Sequence, residues 1–390
     1  MFVGFNADDD PGQTQRVAGV FTLNEGNVLT KGPVWLGWAT NRVGGASELL
    51  ELSNGTFEAW GDIKSFGTLS TGRVHLSGGT LKMNGKSIGS SGRHVLLRAE
   101  RGVLENLRQL NDGGTLVKTG PNTLVLRGTN TYTGPTWVSN GVLRLEGQVV
   151  SSAVSIANNA TLSGNGMLGN GLSVATGAVL RFTIGTNSER IDVRGNLSLG
   201  ERLDLSDGGG LTNTTYTLFT YTGSLSYKPL VIGSTPTVDY TYEVSTNTPE
   251  QIRLVVKFRD SVGDGIPDMW RRQHFGGDGR STNALSAAGA DPDKDGHTNW
   301  QEYRAGTLPT QADSISKVRL NTTGEQLRWP AVPGRTYQIE YTDDMKNKTW
   351  RPWNSPPITI PAGSTNDVVV PLPRYEIRSN RFFRVVVIEP

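Results

Sequence analysis

Between residues 291 and 302 the chain reads DPDKDGHTNWQE. Asp291, Asp293 and Asp295 alternate, Gly296 follows them, and Glu302 closes the twelve. Carboxylates at every second position can curl around one point. A hard cation such as Ca²⁺ takes about six to eight oxygens at about 2.3–2.6 Å, and this spacing supplies them. Gly296 permits the sharp bend. His297 is expected to offer its backbone carbonyl and to turn its imidazole away, because calcium prefers oxygen. Asn299 stands where a side chain reaches the ion through water, and Glu302 can close the site with both oxygens. The expected role is structural: the ion neutralises carboxylates that would otherwise repel one another. The plainer alternative is a solvated acid-rich turn.

An earlier stretch, DSVGDGIPDMWR at 260 to 271, repeats this frame incompletely. Asp260, Asp264, Gly265 and Asp268 fit. Val262 stands where a second acid is expected, and Arg271 where the closing glutamate should be. These departures predict a degraded or shared site, to which Asp278 in the intervening GGDGR turn could add a donor. Short helical patterns follow each loop, PDMWRRQHFG and NWQEYRAGT, and both stop at glycine. The pair resembles the EF-hand-like calcium loops of thrombospondin type 3 and dockerin-like modules. That resemblance implies two helices packed together, with Trp270, Trp300 and Tyr303 near their core.

The elements around these loops read as β. From about residue 3 to 257 one phrase recurs: Gly or Asn, then Thr, then an apolar residue, then Gly. NGTFEAWG at 54, GGTLKMNG at 78, GGTLVKTG at 113 and NATLSGNG at 159 are examples. Repeated strand-turn units too small to bury a face of their own read as rungs of a solenoid. Leu124 and Leu126 share one face of a strand, as do Leu143 and Leu145, with Arg144 and Glu146 opposite. The run GGTLVKTGPNTLVLRGTNTYTGPTWVSNGVLRLEG, residues 113 to 147, resembles the autotransporter-associated β-strand repeat, also called the passenger-associated transport repeat. Gly113, Gly114, Leu116, Lys118, Gly120, Leu124, Leu126, Gly128 and the Asn130–Gly134 NTYTG carry the match. Gly141-Val142 departs from the usual Gly-Thr. The resemblance implies a right-handed β-helix on a bacterial surface protein and no catalytic residue.

After residue 200, TNTTYTLFTYTGSLSY and PEQIRLVVKF are expected to close the solenoid as antiparallel strands, because an open final rung would be a sticky edge. From about 315 the chain turns β again. Trp329, Tyr337, Ile339 and Tyr341, with Phe382, Arg384 and Val386, resemble a fibronectin type III-like module, and Trp329, Tyr337 and Phe383 or Phe382 are its expected core aromatics. The expected architecture is all-β: a β-helix solenoid with an antiparallel cap at 1–258, a small helical calcium-loop linker at 259–314, and a β-sandwich at 315–390.

Composition narrows the function. A net charge of +2 gives no reason to expect nucleic acid or an anionic membrane as partner, and no apolar run is long enough to cross a bilayer. With no cysteine there is no disulfide framework, thiolate zinc site or cysteine nucleophile. MFVGFNADDD lacks the basic and apolar regions of a signal peptide, so the sequence is expected to start partway through a longer structure or from a misassigned start codon. The final strand belongs to the sandwich, so transport by an attached barrel is not expected and the export route stays open.

A lyase built on a β-helix would need calcium-binding acids and a basic proton acceptor on one sheet face. Arg93, His94, Arg98 and Arg101 form the best basic cluster, yet no acid trio lies near them in sequence, and a solvated face is expected. ADDD at 7 to 10 reads as a solvated turn. His75, His94, His274 and His297 are scattered and suggest no zinc site. Trp35, Trp38 and Trp60 could stack on sugars, but tryptophan in a rung more often packs. The expectation is a non-enzymatic, extracellular or surface-exposed bacterial adhesion or scaffold protein with a surface glycan or protein ligand. The alternative is a carbohydrate-active β-helix, either lyase, hydrolase or glycan-binding module.

Overall fold

A computed structural model describes residues 2–3 (backbone), 19–37, 48–66, 72–200, 202–315, 317–321, 325–332, 334–347, 349–353, 356–361, 367–372 and 381–388. The ADDD turn and Trp38 lie outside these residues. The chain divides into two compact units, 1–257 and 258–390. Secondary structure is nearly all β, with two short helices, α1 (Asp268–Phe275) and α2 (Asn299–Ala305).

In the first unit the strands build parallel ladders in which each strand pairs with one from the next stretch of chain. One ladder runs Leu124 to Leu143, Leu162, Leu180 and Leu203, each directly paired with the next and each fully buried. A second runs Leu116, Thr136, Val154, Leu172, Leu197, Leu225. A third runs Val149, Leu168, Val193, Tyr221. Period-two alternation puts the leucines inside, as the sequence predicts for Leu124, Leu126, Leu143 and Leu145. Arg144 and Glu146 face outward and pair at 3.0 Å, and Arg127 on the neighbouring strand reaches Glu146 at 2.7 Å.

The glycines of the repeated phrase mark where backbone presses on backbone. Gly147 pairs with Gly128, and a Cβ on Gly147 would lie 2.2 Å from the Gly128 carbonyl oxygen. Gly141 has φ +73° as well, and its Cβ would lie 2.3 Å from the Gly120 carbonyl oxygen.

The polar residues of the repeat are interior fixtures. Asn130 is fully buried; its Oδ1 accepts from the Leu107 N–H at 3.0 Å and its Nδ2 donates to the Arg127 carbonyl at 3.0 Å. Tyr132, also fully buried, shares a hydrogen bond of 2.8 Å with Thr136, which bonds Ser152 at 2.9 Å. Lys118 donates to the carbonyls of Thr119, Gly120 (2.7 Å) and Asn140 (3.0 Å). Burial lowers the Lys118 pKa to about 8, against the nearby Glu100 charge that raises it. The lysine and asparagine of the motif therefore satisfy backbone carbonyls and an amide at the bends, and the tyrosine hydroxyl is satisfied by the side chain of Thr136.

Of the stretches expected to close the unit as antiparallel strands, Thr214–Tyr221 pairs antiparallel with Gln251–Phe258, with Ile252, Leu254 and Val256 fully buried, whereas Leu225–Tyr227 still pairs parallel with Leu197–Leu199, continuing the ladder.

In the second unit, Gln326–Trp329 pairs antiparallel with Arg319–Leu320 and Val368–Pro371. Thr336–Thr342 pairs antiparallel with Arg351–Pro352, Ile358–Thr359 and Phe382–Ile388. One cluster joins the two sheets: Leu327, Trp329, Tyr337, Ile339, Trp353, Ile360 and Leu372. Of the two adjacent phenylalanines, Phe383 packs on Trp353 at 6.4 Å, while Phe382 is exposed. Trp353 is a core residue that alternation alone did not reveal, because it follows a strand of only two residues.

Two substitutions separate the interior's apolar and polar parts. Leu143→Asp should cost at least about 3 kcal/mol, because an unpaired charge would enter a core shared by adjacent strands. Tyr132→Phe should cost about 1–3 kcal/mol through the partners it strands. Thermal or denaturant unfolding of the two variants measures both.

Candidate metal centre

The acid-rich loops carry closely matching backbone frames. In the second, the Gly296 N–H donates to Asp291 Oδ2 at 3.0 Å and the His297 N–H to Asp295 Oδ1 at 2.7 Å. In the first, the Gly265 N–H donates to Asp260 Oδ2 at 2.8 Å and the Ile266 N–H to Asp264 Oδ1 at 3.2 Å. The bend glycines match too, with φ +86° at Gly265 and +96° at Gly296, values that other side chains rarely adopt.

Each loop runs into its helix. Thr298 caps α2: its Oγ1 accepts from the Gln301 N–H, and the Gln301 side chain accepts from the Thr298 N–H at 2.8 Å. This Thr-x-x-Gln capping box was present in the sequence as a recognisable pattern. Gly306, with φ +74°, ends the helix, and Gly276 ends α1. Trp270 of α1 meets Tyr303 of α2 edge-on at 5.8 Å. Trp300, expected near this core, is instead 37% exposed and carries the Arg304 guanidinium over its ring at 4.8 Å. In the first turn of a seven-residue helix, Trp300 packs along Arg304, one turn further on, rather than against α1. The Arg304 guanidinium donates to the Val387 carbonyl at 2.6 Å and Arg335 to the Tyr303 carbonyl at 3.0 Å, tying α2 to the strands of its own unit.

The loops differ in what their acids have left to offer. Asp291, Asp293 and Asp295 each brace a loop amide with one oxygen. The other oxygens, Asp291 Oδ1, Asp293 Oδ2 and Asp295 Oδ2, are buried without a hydrogen-bond partner. The three carboxylates can bring ligand atoms within 4.8 Å of one another. Glu302 is fully buried, and its Oε2 is likewise unpartnered. Burial pushes the Glu302 pKa up to about 7, with the charges of Asp293 and Asp295 adding to the rise, so its carboxyl sits within their field. Three carboxylates this close together, each with a buried oxygen lacking a hydrogen-bond partner and only the half-exposed His297 ring beside Asp295, suit a hard divalent cation.

The remaining expected ligands fall into place unevenly. The His297 ring is half exposed and its Nδ1 lies 3.2 Å from Asp295 Oδ1. Asn299 is buried; its Nδ2 donates to the carbonyls of Leu285 and Ala287, both at 2.7 Å, and its Oδ1 is unpartnered. In the first loop every expected acid has protein partners. Asp260 accepts from Gly263 and Gly265, Asp268 accepts from the Ser261 N–H and Oγ, and Asp264 receives the Arg271 guanidinium at 2.7 and 2.8 Å. Asp278 turns to the Arg280 N–H at 2.9 Å.

Outside the loops the polar groups weighed for chemistry are dispersed. Arg93 donates to the Phe66 carbonyl and stacks on Trp35, Arg98 pairs with Glu100, and Arg101 donates to the Ser77 carbonyl. His94 is exposed. His75 bonds Glu51 through Nδ1 at 2.7 Å and lies 3.2 Å from Glu100 through Nε2, so both ring nitrogens face carboxylates. His274 packs on Trp270 at 4.6 Å. Trp35 packs on Phe66 at 5.6 Å, while Trp60 and Trp137 are each 53% exposed.

Comparison with known proteins bears on the first unit. Residues 116–145 match the passenger-associated-transport-repeat family. The chain carries this passenger-type repeat. It is 50% identical over 66 residues to an extracellular serine protease of Serratia marcescens, covering 17% of this chain and 6% of that protein. Over 236 residues it is 27% identical to the adhesin BmaC autotransporter of Brucella suis, covering 50% of this chain and 7% of the adhesin. A second extracellular serine protease of Serratia marcescens is 48% identical over 56 residues, 14% of this chain and 5% of that protein. The chain thus spans a small part of each relative's length. No helix among the described residues is long and apolar enough to cross a membrane.

The Glu302 shift has a pH consequence in calcium-free buffer. Its folded pKa of about 7 stands above the ordinary 4.5, so the folded loop holds a proton that the unfolded chain releases. The stabilisation is full below 4.5 and is lost as pH rises through about 7. Amide exchange across α2 should therefore accelerate over that window, and Glu302→Gln should flatten the dependence.

Proposed function

We propose that the chain is part of an extracellular or surface-exposed bacterial passenger, a non-enzymatic stalk used for adhesion or scaffolding. The observation that carries this is the passenger-type repeat at 116–145 lying within continuous parallel ladders of buried leucine. Stacked parallel strands with bends of glycine and buried asparagine suit a right-handed β-helix at 1–258, stiff because each rung shares its core with its neighbours. The two antiparallel sheets around Trp329 and Tyr337 suit a fibronectin type III-like β-sandwich at 315–390. The loop segment at 259–314 would then be a calcium-ordered joint.

Asp291, Asp293, Asp295 and Glu302 would hold the calcium ion, with the His297 carbonyl and Asn299 completing the set. The ion would supply positive charge to carboxylate oxygens that lack any other partner; no catalytic step is assigned to it. Extracellular modules of this kind bind at about 10⁻⁴ to 10⁻³ M, which suits a calcium-rich exterior. A glycan-binding reading of the same scaffold is supported by the exposed rings of Trp60 and Trp137.

Immobilised chain screened against host cells and a glycan array, with parallel polysaccharide-lyase and protease assays, tests the adhesion reading. Binding without turnover is expected; turnover that survives purification overturns it. For the joint, calorimetry should detect millimolar-range calcium binding, and chelation should open the chain near 291–306 to protease while 1–257 stays resistant. Glu302→Gln should weaken calcium binding by about 10-fold or more through loss of the charged closure, whereas His297→Ala should change it little.

A further inference from the structure

The two loops set identical tasks to their twelfth residue and receive opposite charges. Position one braces the amide of position six in both, through Asp260 to Gly265 and Asp291 to Gly296. Position five braces the amide of position seven in both, through Asp264 to Ile266 and Asp295 to His297. At position twelve, the first turn of the helix after the loop, the second loop has Glu302, whose Oε2 is unpartnered. The first has Arg271, 1% exposed, whose guanidinium grips both oxygens of Asp264 at 2.7 and 2.8 Å.

Arg271 is also held on its other sides. Its Nε donates to the Ser286 carbonyl at 3.2 Å, and its Nη1 donates to the Gly279 carbonyl at 3.1 Å. A buried guanidinium with carbonyl acceptors and a bidentate carboxylate is satisfied in both charge and hydrogen bonds. None of the oxygens of Asp260, Asp264 or Asp268 is among the buried, unpartnered atoms, whereas all four acids of the second loop contribute one. At position three, where the second loop has Asp293, the first has the exposed Val262.

We infer that residues 260–271 form an arginine-closed loop, in which the Arg271 guanidinium takes the place that a divalent cation takes at 291–302. The segment then binds one calcium ion rather than two, and the first loop is a latent second site that Arg271 holds shut. The count of one rests on the calcium reading above; the closure by Arg271 does not. A tethered cation keeps its loop ordered at any calcium concentration, so half of the segment is independent of the ion that orders the other half.

Hydrogen exchange on the full chain, in chelator and in millimolar calcium, tests this without any variant. The amides of Gly263, Gly265 and Ile266 should be protected in both buffers, while those of Asp295, Gly296 and His297 should gain protection with calcium. Calcium-dependent protection of equal size in both loops, or two calcium ions bound per parent chain by native mass spectrometry, would overturn the inference. No calcium effect at 295–297, with 263–266 still protected, would remove the calcium reading and leave the arginine closure standing. Arg271→Gln should speed exchange at 263–266 by about 10-fold or more in either buffer, since one partner of a buried pair is lost; unchanged exchange overturns the closure. Val262→Asp with Arg271→Glu restores both missing acids and should raise the count from one ion to two. A folded double variant that still binds one ion counts against the latent site.

Discussion

Parallel backbone pairing between successive stretches of chain is the constraint on which the first unit depends. The strands of its ladders satisfy amides and carbonyls on neighbours that arrive later or earlier in the chain, so no stretch of a ladder can be stable by itself. This demand explains the composition. Where Gly147 lies against Gly128, a side chain would meet carbonyl oxygen at 2.2 Å, so the residue there has none. Where the chain bends, Lys118 and Asn130 bring hydrogen-bonding groups to backbone carbonyls and an amide, and the Tyr132 hydroxyl meets that of Thr136. The interior is apolar along the strands and polar at the corners, and both parts answer to one requirement.

The second unit meets a different demand, that of charge. Its two loops gather carboxylates tightly enough that their amide bonds use up only some of the oxygens. In one loop a guanidinium on the following helix balances the remainder. In the other the remaining aspartate oxygens lie close together, and burial, with the Asp293 and Asp295 charges adding to it, raises the pKa of Glu302. The helices are too short to be stable without partners, and their packing through Trp270 and Tyr303 links the state of the loops to the strands that Arg304 and Arg335 engage.

The ladders spread their core along many rungs and leave a long outer face of threonine, arginine and glutamate. Some titratable groups of this unit are committed to one another, as His75 is to Glu51 and Glu100, or to backbone, as Arg93 is to Phe66.

The sequence by itself determined the periodicities. Alternation placed Leu124, Leu126, Leu143 and Leu145 inside, glycine stops ended both helices, and the spacing of Asp291, Asp293 and Asp295 marked acids whose oxygens lie close together. Such features are local, governed by the pleat of a strand, the pitch of a helix or the reach of a twelve-residue loop. Tertiary structure decided what depends on partners distant in the chain. It made Trp353 a core residue and Trp300 an exposed one, and it buried the motif residues Asn130 and Tyr132, bringing the Leu107 amide to the first and Ser152 to the Thr136 hydroxyl that the second meets. It also set Arg271 on Asp264. In sequence that arginine is only a departure from a pattern; in space it is the counter-charge, because the helix turn returns position twelve to the carboxylate at position five.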